Sequence, residues 1–145
     1  HYKAALDAYS RALEYTTEPA VVHVNMGNTC DRLGRPREAG DHFLKALKID
    51  PVNQNALYNL ALVYANKGLV DKAVETYRTL LDINPGNQKA MINLGQVYFD
   101  AGRRNDAVGI WEDAIAVNPF HRTAEVARRN IKLVRAADGG VGGRR

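Results

Sequence analysis

The chain has 145 residues, of which 46% are hydrophobic and 25% charged, a composition typical of a folded domain. It excludes intrinsic disorder as the main state, and no apolar run approaches the roughly 20 residues that a membrane span needs. The net charge of +4 is uneven, because residues 1–121 carry 13 basic and 14 acidic side chains and residues 122–145 carry 7 and 2. The basic excess therefore belongs to the C-terminal end, which removes the main support for a nucleic-acid-binding body.

The N-terminus and the cysteine content give two further expectations. The chain begins at His1 without an initiator methionine or a signal peptide, so we expect a processed or excised piece of a protein. Its one cysteine, Cys30, excludes an intrachain disulfide and any zinc site built on several cysteines. Because a lone cysteine fits a reducing compartment, we expect a cytoplasmic location.

A spacing of 34 residues recurs from Ala5 to Pro119. Three prolines lie at this spacing, and so do columns of alanine, aromatic residues and glycine. The columns are Pro51, Pro85 and Pro119; Ala5, Ala39, Ala73 and Ala107; Tyr9, Phe43, Tyr77 and Trp111; and Gly34, Gly68 and Gly102. Self-similarity at a fixed period of this length is the signature of a repeat architecture.

In chain order, the elements predicted from this period are all helices. Residues 1–15 match only the second half of a unit, so 1–19 is predicted to be a half repeat with an exposed apolar face. Three full units follow at 20–53, 54–87 and 88–121. Each is predicted to hold two amphipathic helices, because apolar residues recur at helical spacing on both sides of the glycine. Glycine ends the first helix and proline stops the second.

The C-terminal part departs from strict spacing. A 34-residue period would bury four charged residues without partners, namely Glu125, Arg128, Arg129 and Lys132. This is costly, and a shift by three residues avoids it. The shifted register places Ala124, Ala127, Ile131 and Val134 on the inner face. We therefore expect a capping helix over 122–137 and a flexible tail over 138–145.

The columns resemble the tetratricopeptide repeat family. The matching residues of the second and third full units are Asn59, Leu60, Ala61, Tyr64, Gly68, Ala73, Tyr77 and Pro85, and Asn93, Leu94, Gly95, Tyr98, Gly102, Ala107, Trp111, Ala114 and Pro119. The resemblance implies an all-α, right-handed superhelix of antiparallel helix pairs, with residues 1–137 forming a single array. It also implies a protein-interaction function.

Catalytic chemistry has little support in the sequence. The four histidines lack the spacing of metal ligands, and no phosphate-binding loop or dinucleotide fingerprint is present. Cys30 occupies a column held elsewhere by Tyr64 and Tyr98, which predicts a buried thiol rather than a nucleophile. We expect no enzyme activity, no metal and no cofactor.

Asparagine recurs in the first helices. Asn25, Asn59 and Asn93 are 34 residues apart, and Asn130 extends the series if the three-residue shift is correct. An asparagine amide carries one acceptor and two donors, so it can bind the N–H and C=O of a peptide backbone together. The series is similar to the asparagine ladder that lines the superhelix of O-GlcNAc transferase. The alternative is that these amides bond the neighbouring repeat or water.

The family resemblance places the first helices on the concave surface, which gives a candidate peptide groove. Helical spacing adds residues beside the asparagines, including Val24, and the groove is nearly neutral in charge. The candidate binding residues are Asn25, Asn28, Tyr58, Asn59, Leu62, Lys89, Asn93, Gln96, Phe99 and Asn130. We expect the partner to be an extended segment of a protein or peptide.

Four alternatives accompany this interpretation. The carboxylate clamp of chaperone-binding tetratricopeptide domains needs several cations, and here only Lys89 stands in a basic clamp column, beside Asn28 and Asn59. The capping helix has a basic face formed by Arg128, Arg129, Lys132 and Arg135. This face could dock an acidic protein, a membrane or nucleic acid, although it has no interleaved aromatic residues. The chain could instead self-associate through helix 1–15. It could also be a targeting or regulatory segment of a larger enzyme.

Overall fold

The computed structural model describes residues 1–139, and every regular element in that range is an α-helix. The helices are α1 (Tyr2–Ala12), α2 (Pro19–Arg32), α3 (Pro36–Ile49), α4 (Gln54–Asn66), α5 (Val70–Ile83), α6 (Gln88–Asp100), α7 (Arg104–Val117) and α8 (Arg122–Gly139). The predicted all-α class is confirmed. Helix α8 continues two residues into the predicted tail, and the rest of that tail, 140–145, lies outside the described residues.

The helices form two compact units, one from His1 to Ile83 and one that begins at Asn84. In the first unit, α2 pairs with α3 and α4 with α5, while α3 contacts α4 and α1 contacts α2. In the second unit, α6 pairs with α7, and α8 packs against both. Short loops join the members of each pair, so each pair is an antiparallel helical hairpin.

Local signals in the sequence explain where these helices begin and end. The side chain of Asn53 accepts a hydrogen bond from the backbone N–H of Ala56 (3.1 Å), and Asn87 does the same for Ala90 (3.0 Å). Each bond satisfies one of the free N–H groups at a helix start. At the other end of α4, Gly68 adopts a φ of 70°, and the N–H of the next residue reaches back to the carbonyl of Tyr64. This closing turn needs glycine because other residues are strained at positive φ.

Substitution of Gly68 tests this turn. Gly68→Ala should lower the free energy of unfolding by about 1–2 kcal/mol, because the new Cβ is strained at positive φ although it meets no neighbour. The same change at Gly86, whose backbone lies outside the left-handed region, should have a smaller effect. Urea unfolding of both variants measures the difference, and equal effects would contradict this explanation.

Large aromatic side chains against small residues hold each hairpin together. Phe43 lies over Gly27 in the α2–α3 pair, and Trp111 lies over Gly95 in the α6–α7 pair. Both aromatic side chains are 1% exposed. A side chain at either glycine would occupy the space of the ring, so the small residue is required for the helices to approach this closely.

The capping helix buries its predicted inner face. Ala124, Ala127, Ile131 and Val134 are all buried, whereas Arg128 and Lys132 are exposed. Burial of every third or fourth residue is the pattern of a helix with one face packed on its neighbours. The cations of α8 therefore lie on its solvent side.

Candidate functional site

The predicted binding residues divide between the two units. In the first unit, five half-buried side chains lie on the first helices of the two pairs: Asn25 and Asn28 on α2, and Tyr58, Asn59 and Leu62 on α4. In the second unit, Lys89, Asn93, Gln96 and Phe99 lie on α6 and Asn130 lies on α8. Half-burial leaves the asparagine amides partly accessible, as a role in binding requires.

A hydrogen bond between two asparagines joins α2 to α4. The Nδ2 of Asn59 donates to the Oδ1 of Asn28 over 2.8 Å. Both amides line a small cleft of about 70 Å³, to which Asp31, Leu62 and Asn66 also contribute. One asparagine of the predicted series therefore does bond the neighbouring repeat, and it does so within a surface cleft.

The Asn28–Asn59 bond uses only part of the capacity of the two amides. An asparagine side chain has two donor hydrogens and a carbonyl with two lone pairs. The Nδ2 hydrogens of Asn28 and the Oδ1 of Asn59 take no part in this bond. A complementary donor and acceptor from two amides match what a peptide backbone offers.

One residue beside the asparagines differs from the prediction, and another makes an additional contact. Val24 is only 6% exposed and belongs to the core cluster of the first unit, so its assignment to the groove surface was wrong. The ring of Tyr58 meets that of Tyr77 edge to face, with centroids 6.2 Å apart, so Tyr58 also packs against the second helix of its own pair.

Asn66 is a cleft residue that was not predicted. Asn66 follows Asn59 by seven residues, which places the two on one face of α4. The helical spacing of Asn59 and Asn66 is the signal that could have identified it.

The second unit presents a more exposed set. Lys89, Gln96 and Phe99 are exposed, and Asn93 and Asn130 are half-buried. The Nε2 of Gln96 donates to Asp100 over 2.7 Å, one turn further along α6. The ring of Phe99 lies 6.3 Å from that of Trp111, so its inner edge contacts the core while its outer edge faces solvent. Phe99 is thus an apolar contact available on this surface.

Two histidines meet between α2 and α3. The Nδ1 atoms of His23 and His42 are 3.3 Å apart and the rings are stacked. Burial lowers the pKa of both side chains, and the charge of Lys45 lowers it further. For His42, the proximity of His23 adds to the lowering, while Asp41 and Glu38 oppose it. The pair is therefore held in its neutral form more strongly than free histidine.

The lowered pKa values predict that stability depends on pH. As the pH falls below the ordinary histidine pKa of about 6.5, the unfolded chain binds protons more readily than the folded one. The melting temperature should therefore decrease between about pH 7.5 and about pH 5. His42→Asn should reduce this decrease, and His121→Asn, at an exposed position, is the matched control. An identical pH dependence in all three proteins would contradict the prediction.

The remaining candidates for chemistry are few. Cys30 is 1% exposed, and burial raises the pKa of its thiol, with Glu38 adding to the effect and Arg35 opposing it. Among the side chains that the structure describes, no three histidine, cysteine or acidic residues are grouped so that they could hold a metal ion. No helix in the described part of the chain is both long and apolar enough to cross a membrane.

Comparison with known families agrees with this geometry. Two sequence models, both described as Tetratricopeptide repeat, match residues 24–88 and 70–128. The chain belongs to the tetratricopeptide repeat family. Repeats of this family are generally non-catalytic interaction modules, so the assignment supports a protein-interaction scaffold. A comparison with curated proteins found no match.

Several solved structures share the tetratricopeptide fold. A MamA protein superposes with a TM-score of 0.75 at 26% identity, covering 81% of this chain and 64% of that one. YrrB, described as a TPR protein with an unusual peptide-binding site, gives 0.77 at 25% identity, covering 88% and 66%. A tetratricopeptide repeat protein from Parabacteroides merdae gives 0.83 at 24% identity, covering 94% and 54%. The chain thus spans about two thirds of MamA and YrrB and about half of the third protein.

Proposed function

We propose that this tetratricopeptide chain binds an extended peptide segment of a partner protein on the face of its first helices. In the first unit, the contact surface is Asn25, Asn28, Tyr58, Asn59 and Leu62. In the second unit, it is the set Lys89, Asn93, Gln96, Phe99 and Asn130. Each set combines amides with a partly exposed apolar side chain, which suits a ligand held mainly by its backbone.

The observation that carries the proposal is the asparagine pair on α2 and α4. The bond between Asn28 and Asn59 orients both amides, so their remaining donors and acceptor are positioned before a ligand arrives. Preorganisation of this kind reduces the entropy lost on binding. The peptide-binding site named for YrrB, at 25% identity, gives independent support for a peptide as the class of ligand.

Substitution of both asparagines tests the proposal. A peptide selected from a random display library on the full chain serves as the probe. Asn28→Ala with Asn59→Ala should weaken its binding by about 1–3 kcal/mol, because each lost backbone hydrogen bond is worth about 0.5–1.5 kcal/mol. The melting temperature should change little, because neither side chain is in the core. Fluorescence anisotropy and thermal unfolding measure the two effects.

A matched control tests whether the weaker binding is specific to the asparagines of the cleft. Asn55 is exposed on the same helix as Asn59 and does not line the cleft, so Asn55→Ala should bind normally. Binding should also vary little between about 0.05 and about 0.5 M salt, because the groove is nearly neutral. The proposal fails if the double variant binds as well as the wild type.

A further inference from the structure

A second concave surface lies between α7 and α8, within the second unit. It is a cleft of about 560 Å³. Its apolar part is formed by Ile115, Ile131 and Ala136, and its charged part by Glu112, Arg128, Lys132 and Arg135. Three cations and one carboxylate surround the apolar floor, so the cleft combines hydrophobic contact with a positive rim. None of these residues belongs to the proposed peptide face.

The first unit contains the corresponding groove between α3 and α4. Leu44 and Leu47 of α3 stand 68 positions before Glu112 and Ile115 of α7. Leu57, Leu60 and Tyr64 of α4 stand 71 positions before Arg128, Ile131 and Arg135 of α8. The three extra positions are the register shift of the capping helix. The two grooves are therefore equivalent surfaces of the repeat.

In the first unit, helix α5 packs against α4 and forms one wall of this groove. Helix α5 lines it through Lys72, Glu75, Thr76 and Thr79, and the Nζ of Lys72 lies 5.6 Å from the centre of the Tyr64 ring. The α4 surface beside this groove therefore packs against an amphipathic helix. At the α7–α8 cleft, no other helix of the described chain contributes to the lining.

The two grooves differ in the side chains that α4 and α8 contribute. Leu57 and Ala61 are buried in α4, whereas their counterparts Arg128 and Lys132 are exposed in α8. Alanine or glycine stands in the Ala61 column of the other first helices because an aromatic ring of the second helix packs against it. Lys132 stands in that column in α8, so the small residue that accepts an aromatic ring is missing there.

The cations of the cleft are unequally satisfied. Arg135 donates to Glu112 over 2.9 Å, and Arg128 donates to the carbonyl of Pro119 over 2.7 Å. Lys132 has no carboxylate partner among residues 1–137. A helix covering the cleft would remove Lys132 from water, which is costly unless the helix brings an opposite charge.

We propose that the α7–α8 cleft docks an amphipathic helix of a partner protein whose apolar face is flanked by aspartate or glutamate. The apolar floor accepts its hydrophobic side chains, and its carboxylates pair with Lys132 and Arg135. Helix α1 of a second copy suits the cleft less well. Its Tyr9 belongs to the aromatic column and would lie opposite Lys132. The face of α1 that would enter the cleft carries Arg11 as well as Asp7, so it lacks a net negative charge.

A designed helix provides the probe. Its sequence is that of α5, Val70–Ile83, with Lys72→Glu to face Arg135 and Tyr77→Glu to face Lys132, labelled with fluorescein and stapled on its outer face. Anisotropy with the full chain should show saturable binding that weakens as salt increases. Lys132→Glu with Arg135→Glu should weaken binding at least about tenfold, because like charges then oppose each other.

The controls use the same helix and the same change of charge. Arg129 lies outside the cleft, against Arg122, Glu125 and Val126, so Arg129→Glu should leave binding almost unchanged. A probe with lysine at both designed positions should bind the wild type poorly and regain binding to the Lys132→Glu, Arg135→Glu variant. Thermal unfolding checks that all variants remain folded.

Four results would overturn the proposal. The first is absence of binding by the acidic probe at millimolar concentration, and the second is equal binding by a scrambled probe. The third is tighter binding by a peptide with the α1 sequence, which would indicate a second copy as the occupant. The fourth is Lys132-dependent binding of a single-stranded oligonucleotide in preference to the acidic probe, which would indicate nucleic acid.

Discussion

Trp111→Ala is expected to destabilise the second unit by about 3–5 kcal/mol, the range for removal of a large buried aromatic side chain. The indole is 1% exposed and lies against Gly95 and Phe99. Its Nε1 donates to the backbone carbonyl of Ile92 over 3.1 Å. The substitution therefore creates a cavity and also removes the hydrogen bond from the indole to that carbonyl. Chemical denaturation followed by circular dichroism measures the loss.

Trp111→Phe separates these two contributions. Phenylalanine retains much of the ring packing but lacks the N–H, so it should cost clearly less than alanine. The packing description is wrong if the alanine variant loses less than about 1 kcal/mol, or if the tryptophan emission of the folded wild type is that of a solvent-exposed indole.

Gly95→Ala should also destabilise the second unit, by about 1–3 kcal/mol, although alanine is the better helix former. The reason is steric, because a Cβ at this position would lie 2.1 Å from the Nε1 of Trp111. The ring cannot move away easily, since it is buried and its N–H is bonded to Ile92. The α6–α7 pair must separate or repack to admit one methyl group.

Gly109 provides the matched control on the neighbouring helix. Nothing lies within 4 Å of a Cβ built there, so Gly109→Ala should stabilise the chain by about 0.5–1 kcal/mol. Opposite signs at the two glycines are the expected result of thermal and urea unfolding. The close approach of α6 to α7 is contradicted if both substitutions stabilise the chain.

The family and the fold class were predictable because they depend on columns that repeat. The pairing of Gly95 with Trp111 is visible as a small residue and an aromatic residue at constant spacing, and both kinds of position recur in each unit. Burial of Ile131 and Val134 was likewise predictable, because a strict period would have buried charged residues instead. Periodicity averages over several units, so these inferences tolerate local irregularity.

The side-chain geometry of the candidate site was less predictable. Two residues 31 positions apart, Asn28 and Asn59, form one hydrogen bond, and no local pattern indicates which amide donates. The contact between His23 and His42 depends on how the α2–α3 hairpin aligns its two helices. Val24 was assigned to the wrong surface because adjacent positions on a helix differ by about 100°, which a coarse assignment of faces does not resolve.

The position of Trp111 makes the chain its own spectroscopic reporter. It is the one tryptophan of the sequence, and it lies in the unit that begins at Asn84. Indole emission therefore follows the opening of α6, α7 and α8 selectively, while far-ultraviolet ellipticity sums over the helices of both units. Superimposable transitions from the two signals indicate that the repeats melt as one cooperative block. Different midpoints for the two signals would indicate stepwise melting, in which parts of the repeat array unfold separately.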